Sequence, residues 1–260
     1  MARPTDLRIT ISPSGRRLLR LTTTIANVGA GPFALRASRP TTGATTMRVQ
    51  QRIWRSDGTT RYVDTTGTAR YAGDGHSHWH IRRVATYELV DADLHPVRRD
   101  AKVGFCFFDT AVYDSSLRGF DPDRTYRESG CGTRSSLSAT MGISVGWGDT
   151  YPSGFAYQWI DVTGVAGGTY WVIATADKAG SYVESNESNN CSWARVRLGA
   201  GGSSVATLAR GQGCVPPGVT PPGPSPSPSP SPSPSPSPSP SPSAAPSPPP
   251  SADPSAPAEP

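Results

Sequence analysis

Lysine is scarce in this chain: 23 of its 25 basic residues are arginine, and only Lys102 and Lys178 are lysine. The scarcity fits a coding bias toward arginine, but it also restricts the available chemistry. A guanidinium stays protonated and is a poor nucleophile, whereas an amine can lose its proton and react. Any role that needs a nucleophilic amine must therefore fall on one of two positions.

Long apolar runs and helical periodicity are also lacking. The longest apolar runs span only a few residues, which excludes a membrane-spanning helix. Low Lys, Glu and Leu content and few periodic segments exclude a helical bundle or a coiled coil. The formal net charge is +5, but the arginines are scattered and form no dense stripe, so we do not expect nucleic-acid binding.

Proline is sparse in most of the chain and concentrated at its end. Residues 215–260 hold 21 of the 28 prolines, 34 of these 46 residues are Pro or Ser, and none is aromatic. Such a composition cannot form a packed core and predicts a disordered tail or linker. Residues 1–214 keep all 21 aromatic residues and are predicted to form one globular domain.

The four cysteines include no CxxC pair, which excludes a zinc ribbon. An even number, in a β-type chain with a Pro/Ser tail, predicts two disulfides and a secreted protein. Three pairings are possible, of which Cys106 with Cys131 and Cys191 with Cys214 are the local choices. The first residues lack an apolar stretch of signal-peptide length, so secretion requires a leader absent from this sequence. The alternative is a cytosolic protein with free thiols.

β-type patterns run through residues 1–214. The alternating segment LRITIS, the turn PSGRR and the run LLRLTTTIANVG predict a hairpin, and the dipeptide Asp57-Gly58 predicts another. Further strands are expected in FALRA, MRVQQRIW, WHIRRVATYELV, AKVGFCFFD, FAYQWIDVTGV, TYWVIATA and CSWARVRL. Residues 114–144 are expected to form an irregular loop. The predicted fold class is all-β: an antiparallel β-sandwich or barrel-like single domain with long loops.

Three of the four histidines, His76, His78 and His80, fall within the five residues HSHWH. On an extended strand alternate residues share one face, so the three imidazoles project from one side while Ser77 and Trp79 face the other. A bend at the glycines just before this run is expected to bring the outer two close enough for one ion. Three neutral imidazoles suit Cu(II), Zn(II) or Ni(II), and ligand type alone leaves these metals open.

Five motifs follow one another along residues 74–214: DGHSHWHIRRVATYEL, AKVGFCFFDT, GISVGWGDTY, YQWIDVTGVAGGTYWV and YVESNESNN. In order and spacing they resemble the copper-dependent lysyl oxidase catalytic domain in its shorter bacterial form. The resemblance is specific, because all five motifs occur in the family's order. It implies a copper amine oxidase that makes its own cofactor, lysine tyrosylquinone.

The resemblance assigns roles residue by residue. The family's HxHxH motif binds copper, which implies His76, His78 and His80 as Cu(II) ligands. The lysine before the FC motif and the tyrosine that ends the DTY motif form the quinone, which implies Lys102 and Tyr151. The scarcity of lysine agrees with this assignment, because a guanidinium could not add to the quinone ring.

The reaction implied by the resemblance is oxidative deamination of a primary amine, either peptidyl lysine or a small amine, to an aldehyde. Oxygen is consumed, and hydrogen peroxide and ammonia are released. Asp149 is the candidate for the base that removes the α proton of the substrate, or for the residue that recognises the substrate's ammonium group. The alternative is that Asp149 only caps a turn. The net positive charge of the domain repels a cationic amine at long range, so acidic residues near the site must attract it. Further candidates for that attraction are Asp109, Asp161 and Glu184.

The family comparison also bears on the disulfides. Cys191 and Cys214 match a terminal pair, whereas Cys106 and Cys131 match positions whose usual partners are missing here, which implies that they pair with each other. The segment between the implied cofactor residues is longer than in the animal enzymes.

Two other classes of function stay open. One is a zinc hydrolase with a three-histidine site, in which Lys102 and Tyr151 are ordinary side chains. The other is a non-enzymatic β-sandwich that adheres to the cell wall or stores copper. For a secreted oxidase, the tail is expected to be an extracellular spacer between the enzyme and the surface to which it attaches, such as a cell wall. The fourth histidine, His95, is expected to lie exposed in a loop.

Overall fold

The structure is a computed structural model that describes residues 1–72 and 76–220. Residues 73–75, just before His76, and most of the Pro/Ser segment lie outside the described residues. The expected bend, the disordered tail and the domain boundary at residue 214 therefore stay predictions. In the described part of the chain, no helix is both long and apolar enough to cross a membrane.

Strands make up nearly all of the regular structure in the described residues. In chain order they are β1 (Thr5–Ile11), β2 (Arg17–Ala26), β3 (Phe33–Ser38), β4 (Thr46–Trp54), β5 (Thr60–Tyr71), β6 (Trp79–Arg82), β7 (Ala85–Val90), β8 (Pro96–Arg99), β9 (Gly104–Phe105), β10 (Ala111–Val112), β11 (Ser138–Ile143), β12 (Trp147–Tyr151), β13 (Trp159–Asp161), β14 (Gly168–Ala176), β15 (Cys191–Leu198) and β16 (Val205–Gln212). The helical turns among them are short 3-10 segments: Glu128–Cys131, Glu187–Asn189 and Ala200–Gly202. The all-β prediction is confirmed.

The first sheet has the strand order β1-β2-β12-β10, and β13 also pairs with β2. The predicted hairpin of β1 and β2 is confirmed, with Ile9 opposite Leu19. Along β2 the residues Leu19, Leu21, Thr23 and Ile25 alternate inward and are buried. Thr23 is thus a polar member of an otherwise apolar row.

The second sheet has six strands in the order β11-β3-β4-β5-β6-β9. Its hairpin of β4 and β5 turns at the predicted Asp57-Gly58, where Gly58 has a positive φ of 79°. The prediction of an irregular loop over residues 114–144 is wrong at its end, because β11 lies there and pairs with β3. This strand is stabilised by the burial of its alternate apolar side chains, among them Met141.

The third sheet has the order β16-β15-β14-β7-β8. The run WHIRRVATYELV, predicted as one strand, is divided at Arg83, whose φ is +58°. β6 therefore joins the second sheet and β7 the third. In the predicted segment AKVGFCFFD only β9 is a strand, so Lys102 lies in the connection between β8 and β9.

Side chains from all three sheets meet in one apolar cluster. Leu21 comes from the first sheet, Leu35 from the second and Val172 from the third, and each is fully buried. The apolar burial holds the sheets in fixed positions, so polar side chains that point into this interior have little freedom to move.

Both local disulfide pairings are present. Cys106 bonds to Cys131 and Cys191 bonds to Cys214, with Cα–Cα distances of 5.8 and 4.7 Å. The first joins β9's end to the 3-10 segment Glu128–Cys131, and the second joins β15 to the chain beyond β16.

Replacing either cysteine pair by serines should lower the free energy of unfolding by about 3 kcal/mol, because each bond closes a loop of similar length in the unfolded chain. Guanidinium denaturation of the oxidised proteins measures the loss. Reduced wild-type protein is the control and should match the two variants combined. An unchanged midpoint in either variant would contradict a stabilising role for that bond.

Candidate active site

The three clustered histidines converge. His80 is on β6, and His76 and His78 precede that strand. One ring nitrogen from each lies within 4.8 Å of the others, and Nε2 of His78 is 3.0 Å from Nε2 of His80. Trp79 is buried on the opposite side, with 1% of its surface exposed. Nitrogens bound to one ion at about 2 Å lie at most about 4 Å apart, so small ring rotations would complete a metal site.

Within residues 1–72 and 76–220, Gly104 and Glu128 are neighbours of two of these rings. Gly104 pairs with Arg82 across β6 and β9, and a Cβ at Gly104 would lie 2.9 Å from both Cβ and Nδ1 of His80. The ring of His80 therefore occupies space that only glycine leaves open. On the other side, Glu128 Oε1 lies 3.6 Å from Nδ1 of His78. A carboxylate at the second nitrogen of a ligand histidine orients the ring and raises its basicity.

Trp79 holds the HSHWH segment in place through contacts of its buried indole ring. Its indole Nε1 donates to the carbonyl of Thr133 at 2.8 Å, its ring meets Tyr71 edge to face, and the guanidinium of Arg39 lies 4.5 Å from it. The Trp79 side chain thus has a packing role, as the alternation of the HSHWH motif predicts.

Lys102 and Tyr151 lie next to each other in the interior. Nζ of Lys102 is 5.0 Å from the centre of the Tyr151 ring and 5.1 Å from that of Phe105. Each side chain is only 4% exposed. The Tyr151 hydroxyl donates to the carbonyl of Cys106 at 3.1 Å. A fully buried lysine is rare, and here the amine faces an aromatic ring that it could reach by a small movement.

Asp149 completes this group. It is two residues before Tyr151 on β12, so both side chains point to the same side, and both are buried. Burial raises the pKa of Asp149 to about 7, while the hydroxyls of Tyr151 and Thr110 and the charge of Lys102 act in the opposite direction. Burial also raises the pKa of Tyr151 well above its usual value, and the nearby Asp149 adds to this effect. A carboxyl with a pKa near 7 can exchange protons at neutral pH.

The histidine cluster and the Lys102–Tyr151 pair are connected through β9. Gly104 contacts His80, and the next residue, Phe105, packs its ring edge to face on Tyr151 with centroids 5.1 Å apart. The two residues of one short strand therefore touch both groups.

Four polar residues were missed by sequence reasoning: Thr23, Tyr87 and Gln158, which are buried and joined by hydrogen bonds, and the partly buried Asp100. Thr23 lies directly opposite Tyr151 in the pairing of β2 with β12. The sequence did hold one signal for it, since a threonine interrupts the apolar alternation of β2. The other three become neighbours only when the sheets pack together.

The remaining acidic candidates have other local partners. Asp109 is fully buried and accepts hydrogen bonds from Ser144 and from the backbone of Tyr126. Asp161 accepts from the backbone of Thr163. Glu184 accepts from Asn190. His95 has a side chain that is 65% exposed, in agreement with its predicted loop position.

Comparison with known proteins places the chain in a family. The model of the family described as lysyl oxidase matches residues 40–207, which include the histidine cluster, Lys102, Asp149 and Tyr151. The chain belongs to the lysyl oxidase family. Protein-lysine 6-oxidase of Gallus gallus is 32% identical over 149 residues, 55% of this chain and 31% of that protein.

Other members of the lysyl oxidase family show the same partial coverage. Protein-lysine 6-oxidase of Sus scrofa is 30% identical over 156 residues, 58% of this chain and 56% of that protein. Lysyl oxidase homolog 4 of Homo sapiens is 28% identical over 176 residues, 67% of this chain and 18% of that protein. The chain thus matches about half or less of the length of these relatives.

Gly104→Ala should weaken metal binding about tenfold or more, because the added Cβ would displace His80. Isothermal titration of the metal-free protein with Cu(II) measures the change. Gly31→Ala is the matched control, since a Cβ there would meet nothing within 4 Å. Equal affinities of the two variants would show that the position of the His80 ring does not matter for the site.

Asp100→Asn should stabilise the protein at high pH. Burial raises the pKa of Asp100 from 3.8 to about 7, so folding takes up a proton between these values. The free energy of unfolding must then fall as the pH rises from about 4 to about 7, by about 2 to 4 kcal/mol. The variant lacks this loss and should equal wild type only near pH 4. Thermal melts across this range test the sign, with the exposed Asp123→Asn as control, and a variant that is less stable above pH 7 would contradict the argument.

Proposed function

We propose that this chain is a copper- and quinone-dependent amine oxidase that converts primary amines to aldehydes with release of hydrogen peroxide and ammonia. The observation that carries this proposal is the buried position of the Lys102 amine 5.0 Å from the Tyr151 ring. A buried lysine against a tyrosine is costly for stability, and cross-linking of the two side chains gives it a use. Lysine tyrosylquinone is the cofactor that these two side chains would form.

His76, His78 and His80 would hold the copper ion. Their donor set of three imidazoles suits Cu(II), and their nitrogens already lie within 4.8 Å of one another. When bound, copper and the quinone supply the redox chemistry with oxygen that no side chain can perform. The contact of β9 with both groups supports a shared role, because Gly104 meets His80 and Phe105 meets Tyr151.

Asp149 would move the protons. Lys102 must lose a proton before its nitrogen can bond to the ring, and the charges of the two residues already interact. In turnover the same carboxylate would accept the proton from the carbon that bears the substrate's amine. A base with a pKa near 7 serves both steps at neutral pH.

The substrate class is a primary amine, either peptidyl lysine or a small amine. The names of the relatives from Gallus gallus and Sus scrofa state an action on protein lysine, which supports the first of these. We also propose that the protein works outside the cell, since its two disulfides require an oxidising compartment.

The decisive experiment is a peptide map of active, copper-loaded protein. Peptides that contain Lys102 and Tyr151 should appear as one cross-linked species with quinone absorbance. Lys102→Arg should abolish both the cross-link and peroxide release from a diamine, because a guanidinium cannot add to the ring. Lys178→Arg is the matched control and should keep both, since the half-exposed Lys178 pairs with Glu88 and arginine can keep that ion pair.

The same experiment separates the alternatives. Unlinked peptides together with ester or amide hydrolysis by zinc-loaded protein would identify a hydrolase instead. Unlinked peptides with bound copper and no turnover would identify a copper-binding protein.

A further inference from the structure

Three buried side-chain oxygens in this part of the interior have no hydrogen-bond partner among residues 1–72 and 76–220. They are Oδ2 of Asp100, Oδ2 of Asp149 and Oε1 of Gln158. Buried acceptors of this kind are few in native proteins, and each needs an explanation. The mechanism proposed above uses one of them, and it leaves Asp100 and Gln158 without a role.

The three residues belong to one group around the hydroxyl of Tyr87. Nε2 of Gln158 donates to the Thr23 hydroxyl at 3.2 Å, which donates in turn to the Tyr87 hydroxyl at 2.8 Å. Thr23 lies directly opposite Tyr151 on the neighbouring strand. The network therefore reaches the proposed cofactor tyrosine.

The two carboxylates approach the same hydroxyl from other strands. The backbone N–H of Asp100 donates to the carbonyl of Tyr87 at 2.9 Å, which places the two residues opposite each other beyond the end of β8. Cross-strand neighbours point to the same side, so the Asp100 carboxylate lies on the buried side with the Tyr87 ring. Asp149 shares its side of β12 with Tyr151, and its charge acts on the Tyr87 hydroxyl.

The backbone is strained at the residue before Gln158. The preceding residue, Tyr157, has a φ of +59°, which is uncommon for an aromatic residue, while Gln158 itself is fully buried. Strain and an unsatisfied amide oxygen both destabilise the fold, and such features persist chiefly at functional sites.

The three unsatisfied oxygens indicate which kind of ligand could bind here. Two carboxylates and an amide oxygen are all acceptors, and they complement a cation that offers three N–H groups, as a primary ammonium does. Lys102 places such an ammonium beside Asp149. Bonding of its nitrogen to the Tyr151 ring would remove that positive charge and leave the carboxylates to a second ammonium.

We propose that Asp100, Asp149 and Gln158 form the recognition site for the ammonium group of the substrate, with Thr23 and Tyr87 as positioning residues. The inference rests on the proposed amine oxidase function and deepens it. The site accounts for selection of primary amines, because each further alkyl group on the nitrogen removes one of the three N–H donors that the three oxygens need.

Binding to a protein that cannot form the cofactor tests this site. Lys102→Met removes the internal ammonium and prevents the cross-link. Calorimetric titration at about pH 8.5, where both carboxylates are ionised, uses n-butylammonium and n-butyltrimethylammonium as probes. We expect the primary ammonium to bind about tenfold or more tightly than the quaternary one, which has no N–H donor.

Further substitutions in this background assign the effect to residues. Asp100→Asn and Gln158→Met should each weaken binding of n-butylammonium about tenfold, whereas Asp123→Asn at an exposed position should not. Asp100→Asn is expected to be at least as stable as its parent at this pH, so its loss of binding cannot come from unfolding. Near-ultraviolet circular dichroism checks that the Gln158→Met protein is folded.

Equal binding of the two probes, or unchanged binding in folded Asp100→Asn and Gln158→Met proteins, would overturn the proposal. The outcome is independent of the cofactor. If the wild-type protein forms no quinone, the proposed function fails, whereas selective binding by the Lys102→Met protein would still support an ammonium site.

Discussion

The burial of the Lys102 ammonium against the Tyr151 ring is the interaction on which the rest of the site depends. Removing a charged amine from water is unfavourable unless an opposite charge and aromatic faces compensate for the lost hydration. Asp149, Phe105 and Tyr151 supply that compensation. Such a group keeps its geometry only inside a rigid interior, which explains why side chains from three sheets surround it.

The short strand β9 connects the Lys102–Tyr151 pair to the histidine cluster. Gly104 leaves the space that the His80 ring fills, and Phe105 packs against Tyr151. The Cys106–Cys131 disulfide follows directly and fixes the 3-10 segment that begins with Glu128, whose carboxylate lies 3.6 Å from Nδ1 of His78. Three consecutive residues thus link a candidate metal site, a candidate cofactor and the loop that supports both.

The interior carries groups that lower stability. Asp149 is buried and Asp100 is partly buried, and burial raises the pKa values of both carboxyls to about 7. Gln158 holds an unsatisfied oxygen, and Tyr157 has a strained backbone. Groups of this kind are expected where a site must be ready for a charged ligand before that ligand arrives. Two disulfides and an extensive apolar cluster offset the loss.

Sequence patterns were reliable wherever the information is local. The alternation of β2 and the Asp57-Gly58 turn follow from a period of two residues and from turn chemistry. The break at Arg83 and the strand β11 were missed, because a positive φ at an arginine and a short alternating run beside glycines give weak signals. The scarcity of lysine and the order of the five motifs were enough to single out Lys102 and Tyr151.

The sequence by itself determined the all-β class, the histidine triad and the identity of the residues proposed to react. Only the tertiary structure decided that Thr23, Tyr87, Asp100 and Gln158 meet beside Tyr151, although they are widely separated along the chain. Their meeting depends on which strands pair and in which register, and a shift of one residue would turn each side chain to the opposite face. Strand order and register are set by the packing of the whole domain, so no local pattern contains them.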